Sequence, residues 1–588
     1  MPIRSPCKMS WSLPRALLTT CVIGLTWGCC GTARAQAQPP APIRTPTVVP
    51  PASELAPSRT APDDAAMLPQ RAAPPRELAK PDDDVRVDVV AYRVDDDAPP
   101  ELRAALAALT ARYTGKQRGF EDLVNAAAEV TRYLQRDLGD YLGYAYLPEQ
   151  APQDGIIRIA VLEGRLDRVV LNWPEGLAVD KAVVEGYLAH LQPGAVLKVR
   201  DVERVVFLVN DLRGLSARFE LRAGSQPGTA ELVVTPSAER VWSGKLEADS
   251  YGSRPLGLYR LGGLVQLNSP FGRGDGFTAN ALASSTGGLA FALLGYTTPL
   301  GSDGVKVGSS LSAVQYQLNK TQFPLDLKGT AATFNAYGLY PLVRARNLNI
   351  FTLASLEHKE YVDRQAAVGG RTRKKVDTYA LGATGDFRDS LGGGGVNTYD
   401  FSLLGGRITY PDGRNPALTD APSFTKFTYA YSRLQDWFTG HALVYFSLRG
   451  QYAANNLDTT EQFRVGGPDG VRAYASGDGT GDIGSLASLE LRLLPPEDWF
   501  GRVAREMVFS AFVDGGYVQY SYRTTPGTSL TPTANHATYS GVGLGVAWVR
   551  ANEYTLRLSV SKAVSTTASS DGLQRQPRIY LQAARLFN

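Results

Sequence analysis

Tyr554-Thr555-Leu556-Arg557-Leu558-Ser559-Val560-Ser561 sets the fold. Successive side chains of a strand point to opposite sides, so Leu556, Leu558 and Val560 fall on one face and Thr555, Arg557, Ser559 and Ser561 on the other. The same period recurs upstream, where Val444, Phe446 and Leu448 oppose Tyr445, Ser447, Arg449 and Gln451. In Leu489-Glu490-Leu491-Arg492-Leu493 the leucines share a face and the two charges share the other. A soluble sandwich also alternates, and alternation alone does not separate it from a barrel with lipid outside and water inside. Span does. From about Glu239 onward the helical period is gone, and alternation broken by Gly, Asp, Asn, Pro and Ser clusters runs to the end of the chain. That stretch of roughly 350 residues exceeds a usual all-β domain. With ~9–11 residues per strand plus turns, it predicts a transmembrane antiparallel β-barrel of about 16 strands over 239–588.

Composition agrees. Glycine (59) and tyrosine (28) are abundant while methionine and cysteine are scarce at 4 each, as suits strands, tight turns and aromatic girdles. A net charge of +4 over 588 residues offers no concentrated basic surface for nucleic acid. Cys7, Cys21, Cys29 and Cys30 all lie near the start, among Arg4, Lys8, Arg15, an apolar run Ala16–Trp27 and the small-residue site Ala33-Arg34-Ala35. This reads as a signal peptide over 1–35, and the bulky Trp27 argues against lipid attachment at Cys29. The rest of the chain carries no cysteine, hence no disulfide framework and no thiolate metal site. It also carries no run of ~18 apolar residues. The chain is then either soluble or a barrel, the other fold that satisfies every backbone group in lipid.

Residues 36–82 are punctuated by prolines at 39, 40, 42, 46, 50, 51, 57, 62, 69, 74, 75 and 81, which predicts an extended tether with no helix. Residues 83–164 read as a small βααβ-type unit. It has a strand at Val85–Tyr92 and a helix with Leu102, Leu106 and Leu109 on one face. A second helix carries Phe120, Leu123, Val124, Ala127, Val130 and Leu134, and strands at Tyr144–Pro148 and Ile156–Leu162 flank the turn Pro152-Gln153-Asp154-Gly155. Residues 165–238 repeat the plan with a strand at Leu166–Trp173, helices at Lys181–Leu191 and Val199–Leu212, and strands at Ala217–Ala223 and Thr229–Thr235. Two like units in tandem favour an array of modules.

Two short motifs carry the function. Val471-Arg472-Ala473-Tyr474 sits in a glycine-rich loop, and Phe512-Val513-Asp514-Gly515-Gly516 sits in a strand where Ser510, Phe512 and Asp514 share a face. A carboxylate facing lipid is costly, so that face is the lumen, and an arginine fork binds such a carboxylate bidentately. Together with Ala145-Tyr146-Leu147-Pro148-Glu149-Gln150 and Val161-Leu162-Glu163-Gly164-Arg165-Leu166, these motifs resemble the TpsB transporters of two-partner secretion, within the Omp85 group. The resemblance implies two POTRA modules (POTRA 1 over 83–164, POTRA 2 over 165–238) before a 16-stranded barrel. It places Val471, Arg472, Ala473 and Tyr474 at the tip of a sixth loop that folds into the lumen, with Phe512, Asp514 and Gly516 as the lumen partner. Glu490 and Arg492 are pore-lining candidates.

The chain departs from the family pattern in three places. Ala473 replaces the usual glycine, which matters if the position needs positive φ. Asn588 follows Phe587, and Arg585 interrupts the apolar face Ile579-Leu581-Ala583-Phe587. The proline spacing of 36–82 also argues against the plug helix that some members carry.

Enzyme signals are poor. His190, His358, His441 and His536 are scattered, and no G-x-S-x-G elbow occurs. Gly392–Gly395 lacks the Lys-Ser/Thr of a phosphate loop, Gly541-Val542-Gly543-Leu544-Gly545 fails the dinucleotide fingerprint, and the runs Asp82–Asp84 and Asp95–Asp97 read as solvated faces. No cofactor and no metal are expected. The family implies an outer-membrane export pore for a secreted TpsA-like exoprotein, held in outer-membrane lipid, inserted by the barrel-assembly machinery and driven by folding of the substrate outside. A barrel-assembly insertase and a passive porin or ligand receptor are the alternatives.

Overall fold

The computed structural model describes residues 78, 86–96, 98–140, 142–150, 154–226, 228–413, 420–437, 441–524, 534–573 and 575–587. The expected signal peptide, the tether apart from Leu78, the absence of a plug helix, the acidic run Asp82–Asp84, Asp97, Pro152-Gln153 and Asn588 lie outside the described residues.

The first module contains β1 (Val87–Val89), β2 (Ala91–Val94), α1 (Pro100–Thr110), β3 (Gly115–Arg118), α2 (Phe120–Arg136), β4 (Tyr144–Tyr146) and β5 (Ile156–Leu162). Its sheet runs β2-β5-β4, with β2 parallel to β5 and β4 antiparallel. The second contains β6 (Arg165–Leu171), α3 (Lys181–Leu188), α4 (Val199–Asn210), β7 (Leu215–Ala223) and β8 (Thr229–Ala238). Its order β6-β8-β7 repeats the same mixed pairing. Each module buries one core of its own, around Leu102, Val130 and Ile159 in the first and Val184, Val206 and Val234 in the second. The first module also carries a β1–β3 ribbon that the sequence reading omits. The reason is local: Gly115 and Gln117 adopt φ of 120° and 56°, a turn-like conformation that side-chain pattern does not reveal.

The modules meet around Asp140. Its carboxylate accepts from the amides of Leu142 (3.2 Å) and Gly164 (3.2 and 3.3 Å), and its backbone bridges to Lys198 of the second module. Gly143 and Gly164 make room for it, since a Cβ at Gly143 would stand 2.8 Å from the carboxyl carbon and one at Gly164 3.0 Å from Oδ1. Burial pushes the Asp140 carboxyl up to about 6, against the amide bonds that lower it. A folded pKa above the usual 3.8 means that this group's stabilisation is full below pH ~4 and is lost as pH rises through about 6. The junction is therefore expected to tighten between pH 7 and 5, by at most about 1 kcal/mol. Asp140→Asn should remove that slope, read as hydrogen-exchange protection of Leu142 and Gly164 in the full protein after correction for intrinsic exchange.

From Trp242 onward the strands are β9 (Trp242–Asp249), β10 (Arg260–Asn268), β11 (Gly276–Ser284), β12 (Leu289–Leu300), β13 (Val305–Gln317), β14 (Leu327–Arg344), β15 (Leu348–Gln365), β16 (Gly370–Asp389), β17 (Gly395–Thr409), β18 (Ser423–Asp436) and β19 (Ala442–Ala453). Two-residue β20 (Phe463–Arg464) and β21 (Thr480–Gly481) pair within a long loop, and β22 (Ile483–Leu493), β23 (Met507–Gln519), β24 (His536–Arg550), β25 (Tyr554–Ala563) and β26 (Arg578–Phe587) follow. All except β20 and β21 form one closed antiparallel barrel of 16 strands, shut by β26 pairing with β9 from Gln582↔Asp249 to Phe587↔Gly244. Closure removes every sheet edge, as lipid requires.

The outer face is apolar. Leu356 is 65%, Leu381 69% and Leu544 67% exposed, burial that only lipid supplies. Leu556, Leu558 and Val560 lie on the same outer face while Ser561 is buried inside, as the alternation predicts. Arg585 is exposed on that face too, but it lies opposite Tyr554 next to the β24–β25 turn and approaches Glu553 at 3.7 Å, so its charge sits at the rim.

The second module is seated on the short turns at one end of the barrel. Asp180 N donates to Gly272 O (2.7 Å) and Arg213 N to Gly274 O (3.2 Å). Arg204 donates to the carbonyls of Pro341 and Asp303 (2.9 and 3.0 Å), and Lys306 to that of Asp211 (2.9 Å). At the centre Arg344 grips Asp211 bidentately (Nε–Oδ2 3.0 Å, Nη2–Oδ1 2.6 Å), donates to Asn349 Oδ1 (2.8 Å) and stacks over Phe207 at 4.7 Å. Both charged side chains are almost fully buried, at 3% and 4% exposure.

Candidate functional site

Residues 454–482, between β19 and β22, do not project into solvent. Their tip lies inside the barrel, with Val465, Val471, Ala473 and Tyr474 at 1% exposure or less. A loop carries its backbone polar groups into a buried space only if partners meet it, and here the wall supplies them.

Arg472 is the centre. Its Nε and Nη2 each donate to an Asp514 carboxylate oxygen at 2.8 Å, and its backbone N donates to Asp514 Oδ2 at 3.1 Å. Nη1 reaches Glu490 Oε2 (3.1 Å) and Nη2 reaches Ser488 Oγ (3.1 Å). Ser488 Oγ also donates to Asp514 Oδ1 (2.7 Å), and Ser561 Oγ caps the Arg472 carbonyl (2.7 Å). The guanidinium lies over the Phe512 ring, 3.2 Å from Cζ to the centroid. Register explains the convergence: Ser488 stands opposite Asp514 and Glu490 opposite Phe512 across β22 and β23, all on the inner face. Arg492 extends the chain, donating to Glu490 Oε1 (2.9 Å) and stacking over Tyr445 at 4.4 Å. The sequence reading places Glu490 and Arg492 along the pore; the structure brings Glu490 into direct contact with Arg472 and Arg492 one step beyond.

The neighbours of Arg472 fix the hairpin's depth. Val471 packs with Val465, Leu486 and Val518. Tyr474 is buried edge-on to Tyr539 (4.9 Å), shares a hydroxyl bond with Ser565 Oγ (2.7 Å), and accepts Tyr580 Oη at its carbonyl (3.0 Å). Gly516 leaves room for the loop, since a Cβ there would stand 2.1 Å from Val465 Cγ1. Gly541 of β24 does the same, its absent Cβ falling 2.5 Å from Ala473 Cβ, while Gly543 makes room for the Phe512 ring under the guanidinium, its absent Cβ falling 2.3 Å from Phe512 Cζ. The run that fails as a nucleotide fingerprint is therefore a shelf for the hairpin. Ala473 is not among the positive-φ residues, so the methyl group brings no backbone strain and rests on Gly541.

A second attachment, unread from the sequence, holds the loop's first limb to the stretch of wall that precedes it in the chain. Glu461 accepts from Lys359 (3.0 Å) and Lys426 (2.9 Å), and Asp458 accepts from Lys374 (2.7 Å). These lysines project inward from β15, β18 and β16. The tip thus presents a cation to wall carboxylates, and the base presents carboxylates to wall cations.

A closed barrel crossed by its own anchored loop and carrying α+β modules at one end is the architecture of an outer-membrane protein transporter. The chain belongs to the ShlB/FhaC/HecB family of haemolysin secretion/activation proteins, whose model matches residues 228–547; the ShlB-type POTRA domain matches residues 97–164. The heme/hemopexin transporter protein HuxB of Haemophilus influenzae is 25% identical over 462 residues, 78% of this chain and 80% of that one. The outer membrane transporter CdiB of Dickeya dadantii is 25% identical over 450 residues, covering 72% and 75%. Among solved structures, CdiB from Escherichia coli superposes with a TM-score of 0.67 at 19% identity, over 89% of this chain and 94% of that one. The barrel spans the outer membrane, with the modules on its periplasmic side.

Proposed function

We propose that this protein is the outer-membrane translocation pore of a two-partner secretion system, which takes an unfolded exoprotein from the periplasm and passes it out through the barrel. The observation that carries this reading is the Arg472 hairpin, tied to β22, β23 and β25 by side chains rather than by continuous strand pairing, an attachment that can be exchanged without opening the barrel. HuxB and CdiB, named as transporters, support it.

Docking of the substrate belongs to the modules. β4 is an edge strand, and Leu78 already donates its backbone N–H to Leu147 O (2.8 Å) just beyond it while packing against the module core. An extended segment therefore finds a backbone acceptor there, beside a groove that includes Phe120, Val124 and Tyr144, the arrangement that strand addition uses. The partner is a TpsA-like exoprotein, and the barrel-assembly machinery inserts the pore. Co-expression of a neighbouring large secreted protein with and without this chain tests the reading. Its appearance outside the cell should depend on this chain, and Val124→Asp, at an exposed groove position, should cut secretion several-fold with the barrel intact. Secretion that persists without the chain would refute the assignment.

A further inference from the structure

β14, β15 and β16 are 18, 18 and 20 residues long, about twice what a tilted strand needs to cross hydrocarbon. The surplus lies at the end away from the modules. There the outer apolar band of Leu356, Tyr379, Leu381 and Leu403 gives way to charge. Register sets His358 against Asp377 and Asp377 against Arg407, then Glu360 against Lys375, then Val362 against Arg373. Beyond these, Lys328, Arg364 and Arg371 stand in one row across three strands. The alternate residues Tyr361, Lys374, Val376 and Thr378 are buried inside, which fixes the charged set as outward.

The acids of this ledge are already used. Glu360 binds Lys375 (2.5 Å), Asp412 binds Arg373 (3.0 Å) and Asp377 binds His358 (2.5 Å), while Asp326 near Lys328 binds Lys320 (3.2 Å). Lys328, Arg364, Arg371 and Arg407 have no ion-pair partner among the described residues. Like charges directly opposite one another destabilise a ladder; among the described residues the nearest acids, Asp326 beside Lys328 and Asp412 beside Arg371, are each ion-paired to another cation, so the row keeps a net positive charge. It faces sideways, on the same surface as the lipid-facing band, away from the lumen.

We propose that this ledge binds the phosphorylated headgroup of an outer-leaflet glycolipid, with acyl chains against Leu356, Tyr379 and Leu381, its sugars over the intervening rungs His358–Asp377, Glu360–Lys375 and Val362–Arg373, and phosphate between Lys328, Arg364 and Arg371. Guanidinium forks suit phosphate oxygens, and the continuity of charge with the apolar band selects an amphiphile over a soluble anion. The same three strands carry Lys359 and Lys374 on their inner face, so the lipid would brace the wall that holds the base of the loop.

The test uses the full protein in an uncharged detergent, with lipid A carrying both phosphates, the same lipid stripped of phosphate, and inorganic phosphate. The readouts are thermal unfolding, followed as loss of the heat-modifiable barrel band, and retained lipid by native mass spectrometry. The diphosphorylated lipid should be retained and should raise the unfolding temperature by several degrees, while the other two should not. Arg371→Glu should keep or raise the unfolding temperature of the lipid-free protein, since it relieves the row, and weaken lipid binding by at least about tenfold. Arg364→Gln with Arg371→Gln should lose the response in parallel. An undiminished response in these variants, an equal response to the phosphate-free lipid, or the whole shift from inorganic phosphate alone would overturn the proposal.

Discussion

Arg472→Ala is expected to reduce export at least tenfold while the barrel still assembles and remains heat-modifiable. The substitution leaves Asp514, 1% exposed, with only the Arg472 amide and the Ser488 hydroxyl as partners. Removing one member of a buried pair costs about 3–5 kcal/mol. The site is drier than a water-filled pore suggests, because Phe512 covers one face of the guanidinium and the Arg472 side chain is only 17% exposed. That cost falls on the hairpin's position and leaves barrel closure alone, since β22–β23 pairing runs from Ile483↔Gln519 to Leu493↔Phe509 without the loop. Arg472→Lys should rescue poorly, because an ammonium cannot serve Asp514, Glu490 and Ser488 at once. Planar-bilayer recordings should show a noisier, more conductive channel. A variant that secretes normally would remove the hairpin from the mechanism, and one that fails to insert would recast Arg472 as an assembly residue.

Arg344→Ala is expected to have the second largest effect, at the other end of the barrel. It strands Asp211 in a contact where both side chains are almost wholly buried and removes the stack on Phe207, again at about 3–5 kcal/mol. Neither residue lies near the loop, so conductance should change little. The second module should instead loosen from its seat, giving faster proteolysis around 199–214 and a broadened spin-label distance between module and barrel, with secretion falling in step. Secretion that holds while the module swings freely would show that its docking angle is not needed.

The barrel was legible because a two-residue period survives any tertiary context, and a stretch this long leaves few alternatives. Asp514 was legible as inward-facing because a carboxylate on a lipid face is costly; its pairing with Arg472 was legible only through the family resemblance, since a loop arginine in water and a lumen aspartate with other partners fit the residues as well. Ser488, Ser561 and the contact with Glu490 were not. They depend on the offset between β22 and β23 and on which strand the hairpin lies beside, both long-range properties. Lys359, Lys374 and Lys426 were hidden for the same reason: each reads as one more polar residue on an inner face until the loop's path is known. Gly541, Gly543 and Gly545 do leave a signal, being glycines on one face of a strand whose other face is Val542 and Leu544, but nothing local says what approaches that bare face.

Turned end for end, the loop would set Arg472 before Lys359 and Lys426, and Glu461 before Asp514 and Glu490. Every attraction at its two attachments would become a repulsion. On the proposed function, a loop displaced by the exoprotein would have one charge-matched orientation in which to re-seat, because only that orientation sets each attachment against charges of opposite sign.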